Sequence, residues 1–92
     1  MLLVMDVKQI RGLVASGESE TCEFKQSLSN STKFGETICA FANTMGGVIL
    51  LGISDDGSIV GLSDDPNELQ QRVSAISQNV HPTPQMSITV HT

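Results

Sequence analysis

The run Val48-Ile49-Leu50-Leu51-Gly52-Ile53 carries no polar side chain, and it opens directly into Ser54-Asp55-Asp56-Gly57-Ser58. A short continuous apolar stretch bounded by turn residues is the mark of a central strand covered on both faces. Such a strand needs amphipathic elements packed around it. The Asp-Asp-Gly-Ser that follows is a hairpin turn signal, and residues 58–62 return as a short strand.

The amphipathic elements are present. Residues 6–16 have a helical pattern, with Asp6 as cap, Val7, Ile10, Leu13 and Val14 on one face, and Gly17 as stop. Residues 21–26 alternate as a strand: Cys22 and Phe24 point one way, Thr21, Glu23 and Lys25 the other. A helix over 31–45 presents Phe34, Ile38, Phe41 and Ala42 and ends at Gly46. Asp65 as cap, Pro66 in the first turn and Glu68 start a third helix, with Leu69, Val73 and Ile76 as its stripe. His81-Pro82-Thr83-Pro84 breaks it, and 86–91 alternates as a last strand. The expected order is α-β-α-β-β-α-β. This is an α+β two-layer sandwich, a mixed sheet with helices packed on it. Residues 1–92 form one domain, and the strand-like end predicts the N-terminal fragment of a longer protein.

Composition narrows the function. At 39% hydrophobic and 16% charged the chain is globular rather than disordered. The net charge of −5 weighs against a broad nonspecific grip on a phosphate backbone. Lys8, Arg11, Lys25, Lys33 and Arg72 are the only cationic side chains. A nucleic-acid role therefore needs them clustered, or a metal ion, or basic sequence elsewhere. Cys22 and Cys39 lie in no metal-ligand spacing and are expected as free thiols in a reducing compartment. The apolar opening is too short for a signal peptide, and no run approaches the ~20 residues of a membrane span. A cytoplasmic protein with no membrane contact is expected.

Glu18, Glu23 and Asp55 are the candidate acidic site. One precedes a strand, one lies within it, and one follows the adjacent strand. Three converging carboxylates would suit Mg²⁺ or Mn²⁺, which can activate water or clamp a phosphoryl group. On spacing alone the competing reading is stronger: solvated strand ends and ordinary turn chemistry. Lys25 shares a strand face with Glu23, so it either pairs with that carboxylate or meets a phosphate. Lys33 opens the second helix. Asn43 either closes that helix or contacts a phosphate or base. Gly46 and Gly47 allow close chain approach. No G-x-x-x-x-G-K-[ST] phosphate loop occurs.

Several motifs in order and spacing resemble the Schlafen AlbA-type domain, also labelled a divergent AAA domain. They are Glu18 with Glu23-Phe24-Lys25, Ala40-Phe41-Ala42-Asn43 with Gly46-Gly47, Gly52 with Asp55-Asp56, and Val60-Gly61. The resemblance covers residues 16–82. It implies an AlbA-like fold and a nucleic-acid-binding domain, DNA ahead of RNA, of a bacterial transcriptional regulator. Lys25, Lys33 and Asn43 would be the nucleic-acid contacts, and the domain would act as a homodimer. In animal Schlafen relatives that are endoribonucleases, the metal-binding carboxylates match Glu18, Glu23 and Asp55. A metal-dependent endoribonuclease is thus the alternative, with those three residues catalytic and Mg or Mn as cofactor. Nucleotide binding of the AAA kind ranks lowest, for want of the phosphate loop. The departure from the nucleases is charge, since the basic grooves that hold their RNA are missing here. A binding module is therefore expected ahead of an enzyme.

Overall fold

The structure is a computed structural model, and it describes residues 7–80. The described elements run α1 (Val7–Ser16), β1 (Cys22–Lys25), α2 (Ser31–Ala42), β2 (Val48–Leu51) and α3 (Pro66–Gln78). β1 and β2 form a parallel pair that sets Cys22 against Val48, Glu23 against Ile49, Phe24 against Leu50 and Lys25 against Leu51. α2 is the crossover that parallel neighbours require.

Each element stops for a local reason. Gly17, at φ 82°, closes α1 by donating its N–H to the carbonyls of Leu13 and Val14. The chain then folds back on itself, because Ser19 and Cys22 exchange backbone hydrogen bonds in an antiparallel bridge. Asn30 caps α2 by accepting the Lys33 N–H at 3.0 Å. At the other end the Phe41 carbonyl collects the N–H groups of Thr44 and Gly46, so α2 stops at Ala42 rather than at residue 45. Asp65 caps α3 by accepting from the Asn67 and Glu68 amides, with Pro66 in the first turn as expected.

The apolar side chains gather on both sides of the β pair. Cys22, Phe24, Leu50 and Ile53 are buried against Ile10, Leu13 and Val14 of α1. Ile49 and Leu51, alternating with Leu50, join Leu28, Phe34, Ile38 and Val73 between the sheet and α2–α3. The covering of both faces expected of the 48–53 run is therefore seen. A two-layer sandwich would put every helix on one face, whereas the described helices divide between the two. Arg72 ties the helices to the loop after β1: its Nη2 donates to the Leu28 carbonyl at 2.7 Å, and its Nη1 lies 3.7 Å from Asp64.

The strand expected over 58–62 is reduced to one antiparallel bridge, Ile53 with Ile59. The cause is a crossing of two glycines. Gly52 takes φ 87°, which ends β2 at Leu51, and its carbonyl accepts the N–H groups of both Val60 and Gly61 at 2.9 Å. Two amides drawn to one carbonyl cannot continue a ladder. The described order is thus α-β-α-β-α, and the described sheet is a parallel pair rather than mixed. The Asp6 cap, the break at 81–84 and the strand over 86–91 lie outside the described residues.

A Cβ on Gly52 would sit 3.1–3.3 Å from the Gly61 backbone, in a conformation L-residues avoid. Gly52→Ala is expected to cost about 2–3 kcal/mol in a denaturant titration. Gly35, inside α2, has only the Ile76 side chain at 3.5 Å, an ordinary contact. Gly35→Ala should instead leave stability unchanged or raise it by up to about 1 kcal/mol, through helix propensity.

Candidate nucleic-acid interface

Parallel pairing decides which candidate residues meet. Because α2 crosses back from β1 to β2, its N-terminus lies at the end of β1 that carries Lys25. Lys33 is exposed in the first turn of α2, a turn that contains no acidic residue. Lys25 and Lys33 are thus joined through the loop 26–30 at one end of the sheet. The backbone N–H groups of a helix start point in the same direction and favour an anion there. Lys25 is not unencumbered, since its Nζ lies 3.7 Å from Glu23 Oε1, both side chains being partly exposed. An exposed pair of this kind is worth at most about 1 kcal/mol and yields readily to a competing phosphate.

Asn43 stands apart from the two lysines. It is the C-terminal cap of α2, with its N–H on the Cys39 carbonyl and its Nδ2 donating to Cys39 Sγ at 3.5 Å. From Lys33 to Asn43 the helix rises about 15 Å. Its side chain is exposed, and the contact made here is the closing of the helix.

Of the acidic trio, two members are brought together. The Ser19–Cys22 fold-back carries Glu18 alongside Glu23, and both carboxylates act on the Cys22 thiol. Burial raises the Cys22 pKa above its ordinary 9.0, and the charges of Glu18 and then Glu23 raise it further. Asp55 is exposed in the turn beyond Ile53, past the end of β2, whereas Glu23 lies opposite Ile49. Among the described residues no group of three or more His, Cys, Asp or Glu side chains is placed to hold a metal ion. The three carboxylates as they stand do not fit a shared divalent ion.

The turn's chemistry belongs to the neighbouring residue, Asp56. Its carboxylate accepts the Ser54 hydroxyl and the Ser58 N–H, the latter at 2.9 Å. The Ser54 hydroxyl, followed by the Ser58 donors, holds its pKa down from 3.8 to about 2. An aspartate two residues before a serine amide is the sequence signal of such a turn.

The family description Schlafen, AlbA_2 matches residues 18–92. The chain belongs to the Schlafen AlbA_2 family. No curated protein and no solved structure matches it. At a coarse level, membership points to a nucleic-acid-binding domain. The match begins at Glu18 and so leaves α1 outside it. Much of what marks this Schlafen AlbA_2 chain is structural. Gly52 and Gly61 make the crossing, and Gly47 lies under the Phe41 ring, where a Cβ would come within 2.9 Å. No described helix is long and apolar enough to cross a membrane.

Two measurements check these environments. Asp56 has its native pKa depressed, so the turn's contribution to stability is present above about 3.8 and is lost as pH falls through about 2. An NMR titration of the Asp56 carboxyl should show that midpoint, and Ser54→Ala should move it upward. Cys22 should alkylate more slowly than an unburied thiol at pH 8, and Glu23→Gln should quicken it by removing one of the two charges that oppose the thiolate.

Proposed function

We propose that this Schlafen AlbA_2 domain binds nucleic acid, DNA ahead of RNA, as a module of a bacterial transcriptional regulator and not as an enzyme. The observation that carries the reading is the placement of Lys25 and Lys33 at one end of the β1–α2–β2 unit, where the start of α2 adds its own affinity for an anion. With a net charge of −5 and five cationic residues, one copy makes few phosphate contacts. A homodimer doubles that set, and the reading includes one. The fuller AlbA-like mixed sheet, with residues 86–91 as a strand, belongs to the same proposal. The ribonuclease reading needs Glu18, Glu23 and Asp55 on one ion, and it is not carried forward.

The test is a mobility-shift titration on duplex DNA at low salt. Binding is expected to weaken steeply as salt rises, because released counterions carry the affinity. Replacing Lys25 and Lys33 by methionine should lower the salt slope by roughly 1 per residue. Glu23→Gln frees Lys25 and removes a repelling charge, so it should tighten binding several-fold. A folded protein that binds neither DNA nor RNA would overturn the proposal.

A further inference from the structure

Arg72 stands on α3, yet two contacts carry its guanidinium to the end of the sheet where β1 finishes. Its Nη2 donates at 2.7 Å to the carbonyl of Leu28, three residues after Lys25 and five before Lys33. Its Nη1 lies 3.7 Å from Asp64, three residues after Gly61, whose amide is on the Gly52 carbonyl. Gly52 in turn donates its own amide to the Lys25 carbonyl. Two separate lines of contact thus lead from Arg72 back to Lys25.

The face agrees as well as the end. Lys25 is in register with Leu51 and alternates with Phe24, so its side chain leaves the sheet on the side of Leu51. That side is covered by Leu28, Phe34 and Val73, and Val73 follows Arg72 on α3. The Cα atoms of Lys25 and Leu28 are at most about 11 Å apart. One strand of a DNA duplex presents about three phosphates over such a length of axis.

The guanidinium is tied but not used up. It offers a planar fork of N–H donors, of which Nη2 serves the Leu28 carbonyl. Nη1 faces Asp64 in a pair whose side chains are 49% and 37% exposed. Ion pairs this open to water hold weakly and yield to a competing phosphate. Asp65 does not compete, because its carboxylate is committed to the α3 cap. We propose that Arg72 is a further phosphate contact beside Lys25 and Lys33, exchanging Asp64 for a DNA phosphate at Nη1 while Nη2 stays on Leu28. This rests on the nucleic-acid reading of the domain, and it adds a planar fork where the lysines supply only point charges.

NMR and mobility-shift titrations of the full chain with duplex DNA test this. In the unmutated protein the Arg72 Nε–Hε resonance should shift as DNA is added. Arg72→Gln should weaken binding several-fold at low salt. In a Lys25→Met, Lys33→Met background it should lower the remaining salt slope by roughly 1, which a mere support for the loop would not do. Asp64→Asn should tighten binding several-fold, but change it little once Arg72 is Gln, because both act through one guanidinium. Protection of the Gly52 amide on Lys25 shows that each variant is folded. DNA binding with no shift of the Arg72 resonance overturns the proposal and leaves Lys25 and Lys33 standing. So does an equal gain from Asp64→Asn with and without Arg72. A folded wild type that binds no DNA also overturns it, and if it binds no RNA either, the reading beneath falls too.

Discussion

The parallel contact between β1 and β2 continues past the last ladder pair into a knot of backbone hydrogen bonds. The Lys25 carbonyl accepts the amides of Gly52 and Ile53, at 2.7 and 3.3 Å, and the Gly52 carbonyl in turn accepts those of Val60 and Gly61. Three chain segments are joined there with no side chain involved. The close approach depends on two glycines at positive φ, because a Cβ on Gly52 would press into the Gly61 backbone. β2 therefore ends at this point, and the following turn is held against the strand it leaves.

That knot also sets the electrostatics. Lys25 gives its carbonyl to the knot while its side chain stays on the face shared with Glu23, level with Leu51. The start of α2, with Lys33, follows from the same end through the loop 26–30. The carboxylates are distributed differently. Glu18 and Glu23 flank Cys22, Asp56 serves its own turn, and Asp55 is left exposed. Topology thus sets Lys25 and Lys33 toward one end of β1, Glu18 and Glu23 about Cys22, and Asp55 and Asp56 in the turn past β2.

Much of the fold was legible in the residue pattern. The three helices, the cap at Asp65 and the two strands are local features, set by periodicity and by turn chemistry within a few residues. The alternation of Cys22 and Phe24 with Glu23 and Lys25 correctly separated buried from solvent-facing positions. The strand expected over 58–62 is described only as the Ile53–Ile59 bridge, for a physical reason. Its apolar residues fit a ladder, but the Gly52 carbonyl draws off two successive amides and Gly61 turns the chain. The role of Arg72 was invisible too, since its partner Leu28 lies 44 residues away.

The sequence by itself determined the elements, the glycine positions, the shortage of positive charge and, through its ordered motifs, the Schlafen AlbA_2 family. These depend on local sterics and composition, which need no knowledge of long-range contacts. Tertiary structure decided which charged residues become neighbours. Glu18 comes opposite Glu23 through a fold-back, the start of α2 with Lys33 follows at the Lys25 end of β1, and Asn43 is carried to the far end of α2. Spacing along the chain cannot specify such neighbours, because strand direction and register are chosen by the burial of Phe24, Leu50 and Ile53 on one face and of Ile49 and Leu51 on the other.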